Sequence, residues 1–146
     1  ETRFEMPEKF KPIPTAEAWQ LSNAPVMAMA PVRASFDLVD QAGISNLRAK
    51  SEKLTNYLQQ IIEAVAKETG KFLEIITPEG ARGAQISVHV HGYGKPLFDH
   101  LMEQGVIVDW REPNVIRMAP VPMYNSFEDI RSFGQILKTY LESHSA

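Results

Sequence analysis

Cysteine is absent from these 146 residues. That one absence removes a disulfide framework, a thiolate-ligated metal and a cysteine nucleophile from consideration, and it accords with a reducing, cytoplasmic setting. Long apolar runs are missing too. None approaches the roughly 20 residues that cross a bilayer, and no signal-peptide pattern opens the chain, so the sequence reads as soluble, with no membrane partner. Charge of one sign is equally scarce: eight basic and nine acidic residues stand through Gly70, seven and nine after it, for a net charge of -3. Neither half offers the basic field that nucleic acid requires.

What is present fits one globular domain or a segment of a larger fold, with 44% hydrophobic and 23% charged residues. The opening Glu1-Thr2-Arg3-Phe4-Glu5 has no initiator methionine and no capping or strand-opening signal. The chain is therefore expected to be a piece of something longer, although a purification scar or proteolysis accounts for the same start. Pro7, Pro12, Pro14 and Pro25 argue for an extended loop over residues 1–25, because each locks φ and removes a backbone donor.

Val26 to Ala42 is rich in helix formers and ends at Gly43, with Pro31 expected to kink the helix or begin it. Ser45 is the predicted N-cap of a second helix, in which Leu47, Leu54, Leu58, Ile61, Ile62 and Val65 recur at helical spacing before Gly70. Its length, about 24 residues or roughly 36 Å, suits either a bundle helix or a spine joining two parts of a larger protein. The period then changes. Phe72–Ile76 and Ala84–Val90 read as strands around a turn at Thr77–Gly83, Lys95–Gln104 as a short helix, and Val106–Arg111 and Val115–Ala119 as strands around Glu112-Pro-Asn114. Ser126-Phe-Glu-Asp129 resembles a capping box opening a last helix with Ile130, Phe133, Leu137 and Tyr140 inward. The predicted fold class is α+β, a small and mostly antiparallel sheet covered by helices.

Four features bear on chemistry. His89 and His91 are two apart in a strand, so both imidazoles share a face and present two nitrogens to a metal, yet Gln85 and Ser87 share that face and no third ligand lies nearby in sequence. The polar side of a half-buried strand is the simpler reading. Gly92-Tyr-Gly94 has too few glycines for a phosphate loop and reads as a turn. Arg117 interrupts an apolar strand, and a guanidinium there needs an anion, either an internal carboxylate or one carried by a ligand. Ser22-Asn23 precedes a helix start, where it serves either as a plain cap or as part of an anion site.

Several stretches, in order along nearly the whole chain, resemble the kynureninase family within the aminotransferase-like, fold-type-I enzymes that use pyridoxal phosphate. They are Phe4-Glu-Met6 with Pro12-Ile-Pro14, Trp19-Gln-Leu-Ser-Asn-Ala-Pro25, Arg33-Ala-Ser-Phe-Asp-Leu38, Leu47-Arg-Ala-Lys-Ser51 with Leu54 and Tyr57-Leu58, and Ile75-Ile-Thr-Pro78. Arg82-Gly-Ala-Gln-Ile-Ser87, Gly105-Val106 and Ile116-Arg-Met-Ala-Pro-Val-Pro-Met-Tyr-Asn-Ser126 continue the series, the last being distinctive. The resemblance implies that residues 1–42 close a large cofactor-binding domain and that residues 43–146 form its C-terminal small domain. It also implies a homodimer, and hydrolysis of L-kynurenine or its 3-hydroxy form to anthranilate or 3-hydroxyanthranilate and L-alanine, in tryptophan catabolism and NAD biosynthesis. By position Arg117, with Ser22, is implied to bind substrate, and Asn23 to bind the cofactor.

The family's cofactor-holding lysine has no counterpart here, so the resemblance places it in a preceding domain and leaves this chain no catalytic residue. Pro31 also stands where the family's helix is expected to run unbroken. Two rivals differ in kind. One is another fold-type-I enzyme such as a cysteine desulfurase, which the lack of cysteine weakens; the other is a free-standing α+β binding or regulatory module with a purely structural Arg117. The 146-residue chain by itself is expected to show neither the visible absorbance band of a lysine-bound pyridoxal cofactor nor turnover of kynurenine; steady turnover would contradict the assignment.

Overall fold

Residues 5–144 are described by the computed structural model of the protein. Phe4 of the Phe4–Met6 stretch, and the opening Glu1 to Arg3, lie outside them. The chain divides into two units, Glu1–Gln41 and Ala42–Ala146.

The first unit holds a proline-rich stretch, a short 3-10 helix at Ala16–Trp19 that the proline content did not announce, and most of helix α1, Val26–Ala42. Pro31 sits inside α1 rather than at its start, and its carbonyl accepts a hydrogen bond from Ser35 Oγ at 3.1 Å. No residue of α1 is buried. Phe10, Trp19, Leu21 and Met27 are almost wholly exposed as well.

The second unit is built on helix α2, Ile44–Thr69. Its start corrects the sequence expectation: Gly43, not Ser45, is the N-cap, at φ 78°, a region that glycine enters without steric penalty. The Gly43 carbonyl accepts from Leu47 N, and Asn46 Nδ2 reaches back to the Ala42 carbonyl at 3.0 Å, so Ser45 falls within the first turn. The far end behaves as predicted, with Gly70 in the left-handed region donating to the Ala66 carbonyl. Leu54, Leu58, Ile62 and Val65 form one buried stripe along α2.

Strands β1 (Leu73–Ile75), β2 (Ile86–Val90), β3 (Asp109–Arg111) and β4 (Val115–Met118) form one sheet in the order β1-β2-β4-β3, and every pairing is antiparallel. β3 is shorter than the expected Val106–Arg111. The reason is local, because Val106 N bonds to the Leu101 carbonyl at the end of helix α3 (Gly94–Glu103) and is lost to the ladder. Side chains alternate across a strand. Ile86, Val88, Val90, Ile116 and Met118 therefore enter the core, where they join the α2 stripe, Leu97 and Leu101 of α3, and Ile130, Phe133, Leu137 and Leu141 of helix α4, Phe127–Ser143.

α2 and α4 approach each other closely at Gly134. A Cβ added there would stand within 2.4 Å of Ile61 Cγ2, and that β-branched methyl has little rotamer freedom to yield. Gly134→Ala is expected to lower stability by about 1–3 kcal/mol through overpacking, although alanine gains roughly 1 kcal/mol in helix propensity. Urea denaturation checks this, and an unchanged midpoint would mean that the two helices separate freely.

Candidate functional site

β3 and β4 form a hairpin, and Asp109 and Arg117 face each other across it, four residues on either side of Pro113. With Ile116 and Met118 sent into the core, Arg117 projects from the opposite, open face of the sheet, its side chain 31% exposed. Arg117 Nε donates to Asp109 Oδ2 at 2.7 Å and Nη2 donates to the same oxygen. Arg111 Nε lies 3.2 Å from that oxygen too. One carboxylate thus gathers two guanidinium groups. The hydrogen bond from Arg117, opposed by desolvation and helped by the Arg111 charge, holds the Asp109 carboxyl below its ordinary 3.8. Asp109 is the internal carboxylate that the sequence left unnamed; counting outward from the Glu112-Pro-Asn114 turn finds it.

The distinctive stretch after Arg117 is wired to its surroundings. Val121 N donates to Asn125 Oδ1 at 2.8 Å, Asn125 N donates to the Val121 carbonyl, and Asn125 Nδ2 reaches Asp129 Oδ2 at 3.3 Å. Ser126 and Asp129 form the reciprocal capping box, as the sequence predicted. From α2, Lys50 Nζ donates to the Pro122 carbonyl at 2.8 Å. β4, the loop and the start of α4 consequently form one hydrogen-bonded corner. The Asp129 carboxyl is lowered chiefly by the Ser126 backbone N–H and then by the Asn125 amide.

An open cavity of about 750 Å³ lies beside this corner, lined among others by Val106, Val108, Met118, Pro120, Tyr124 and Phe133. Arg117 does not line it, since strand alternation turns Met118 toward the cavity and Arg117 away. The open sheet face instead carries Arg117 and Asp109 toward one edge, Ser87 beside Arg117, and Glu74 with His89 toward the other. Gly92-Tyr-Gly94 forms a turn with the Tyr93 ring buried, so it presents no phosphate cradle.

In the first unit, Ser22 and Asn23 lie exposed in the loop before α1. The Pro25 carbonyl accepts from both Ala28 N and Met29 N, and the first turn of α1 carries no acidic side chain. A helix start of this kind is electrostatically open to an anion.

Solved structures place the fold. A NifS-like protein superposes with a TM-score of 0.70 at 18% identity, over 84% of this chain and 35% of that one. An 8-amino-7-oxononanoate synthase from Francisella tularensis does so with a TM-score of 0.61 at 16% identity, over 87% and 36%. The fold is that of the C-terminal region of fold-type-I pyridoxal-phosphate enzymes. Residues 47–137 match the family described as kynureninase C-terminal domain. The kynureninase of Christiangramia forsetii is 53% identical over 140 residues, that of Flavobacterium johnsoniae 50% over 140, and that of Xanthomonas oryzae pv. oryzae 53% over 142, covering 93–94% of this chain and 33% of theirs. The chain belongs to the kynureninase family and corresponds to its C-terminal part. It spans about a third of the length of the curated relatives it matches.

Replacing Arg117 with methionine is expected to raise the Asp109 pKa toward 3.8, measurable by carboxyl-carbon NMR. A depressed carboxyl contributes stability that is present above its unfolded pKa and lost as pH falls through its folded value. The unsubstituted protein should accordingly lose its advantage over the variant only below pH 3.8. An Asp109 titration indifferent to the substitution would show that the pair does not persist in solution.

Proposed function

We propose that the complete protein of which this chain is the C-terminal part hydrolyses L-kynurenine or 3-hydroxykynurenine to L-alanine and anthranilate or its 3-hydroxy form, within tryptophan catabolism and NAD biosynthesis. The family likeness carries the reading, with 53% identity over 140 residues to a kynureninase; beside it, Arg117 stands on the open face of the sheet, partly exposed and paired with Asp109. A planar guanidinium matches a planar carboxylate. Arg117 binds the substrate α-carboxylate, and Asp109 pre-orients the fork from the facing strand.

Ser22 and Asn23 supply a hydroxyl and an amide just before a helix whose first turn carries no acidic residue, a donor set that suits an anionic cofactor and its substrate. In this proposal Asn23 contacts the cofactor and Ser22 the substrate. Bound pyridoxal phosphate supplies the electron sink that C–C cleavage requires. The lysine that holds it belongs to the two thirds of the relatives' length that this chain does not span, and the 146-residue chain alone is inactive. The enzyme works as a cytoplasmic homodimer, and the exposed Phe10, Trp19, Leu21 and Met27 support the packing of the first unit against further protein. The 53% identity over 140 residues to a kynureninase disfavours both a free-standing binding module and a piece of another fold-type-I enzyme.

In the complete enzyme, Arg117→Lys is expected to lower kcat/KM by roughly ten- to a hundredfold, the value of about 1.5–3 kcal/mol for a charged hydrogen bond. The melting temperature should move little, because the ammonium still pairs with Asp109. Steady-state kinetics and a thermal melt on the same preparation separate the two effects, and unchanged kinetics would remove the clamp assignment.

A further inference from the structure

His89 and His91 lack a third ligand nearby in sequence, but the sheet supplies one. β1 pairs with β2 so that Glu74 lies opposite His89. Its Oε2 stands 2.8 Å from His91 Nε2 and 3.4 Å from His89 Nδ1. One ligand atom from each of the three residues falls within 4.8 Å of the other two. Ligands about 2.0–2.2 Å from a tetrahedral ion are roughly 3.3–3.6 Å apart; the 3.4 Å separation already matches, and the 2.8 Å one must open by about half an ångström when an ion replaces the hydrogen bond. We propose that Glu74, His89 and His91 form a binding site for a zinc-class divalent transition ion, which staples the edge strand β1 to β2.

The rings are held in place before any ion arrives. The His89 and His91 centroids are 3.7 Å apart, and Phe72 packs on the outer side of His91 at 4.8 Å. The two histidines coordinate through different nitrogens. His89 Nε2 is buried and has no hydrogen-bond partner among the described residues, which leaves Nδ1, on the Glu74 side, as the nitrogen open to an ion. His91 offers Nε2. Two imidazoles and one carboxylate select zinc, nickel, copper or cobalt over magnesium or calcium. All three side chains remain partly exposed, which leaves a coordination position for water. β1 is only three residues long and lies at the edge of the sheet, so an ion bridging it to β2 adds to a meagre ladder.

The test is calorimetric titration of the metal-free chain with zinc chloride alone at pH 7.5, with histidine NMR followed in parallel. One equivalent is expected to bind in the micromolar range, to shift the His89 and His91 resonances while leaving His100 and His144 in place, and to raise Tm by about 5 °C. His91→Gln and His89→Gln are each expected to weaken binding by at least about tenfold, and Glu74→Gln to weaken it less, with metal-free circular dichroism confirming the fold of each variant. Cobalt in place of zinc should give the visible bands of a four-coordinate ion. Should a variant fail to fold, the NMR shifts of the unsubstituted chain still decide the matter. Absence of saturable binding, binding that survives the double histidine substitution, or zinc shifts centred on His100 and His144 would each overturn the site.

Discussion

Two-residue alternation in β2 and β4 forces Ile86, Val88, Val90, Ile116 and Met118 beneath the helices, and the same geometry lifts Ser87, His89 and Arg117 onto the other face. A slip of register by one residue would exchange the two sets and bury a guanidinium among leucines. The apolar face is therefore what fixes the polar one. Antiparallel pairing then places Asp109 beside Arg117 and Glu74 beside His89, so both charged clusters follow from how the core is filled. The close seat of α4 on α2 at Gly134 serves the same end, because it is α4 that closes the core under β4.

The first unit obeys a different constraint. Helix α1 buries none of its side chains and contains a proline, which withholds one of its backbone donors. A helix of this length draws most of its stability from packing, and none of the described residues of the first unit is buried against it. Extensive exposed apolar surface marks interaction sites, and the chain spans 33% of the length of the relative from Christiangramia forsetii.

The second unit was legible in the sequence wherever burial and period coincide. Leu54, Leu58, Ile62 and Val65, and likewise Ile130, Phe133, Leu137 and Tyr140, stand where their spacing places them. The Ser126 capping box was readable because its donors and acceptors lie three residues apart. What escaped depended on partners distant in sequence or on backbone competition. Ser45 looked like a cap, but Gly43 enters the positive-φ region at less cost. Val106 to Val108 looked like strand until the end of α3 claimed the first donor. Arg117 declared its need for an anion, yet only hairpin register identifies Asp109, and Glu74 stays hidden for the same reason. The roles proposed for Ser22 and Asn23 rest on family likeness, since neither composition nor periodicity distinguishes a cap from a ligand contact.

The corner after Arg117 has a mechanical meaning. Lys50 pins the Pro122 carbonyl from one helix, the Asn125 side chain ties Val121 to Asp129 of another, and β4 enters from the sheet. Three elements meeting at one braced joint resist shear in every direction, as a triangulated truss does. Placement errors of about 1 Å are enough to cost an enzyme two orders of magnitude in rate. The Arg117 guanidinium, four residues before the first of these ties at Val121, sits on the strand that the joint anchors.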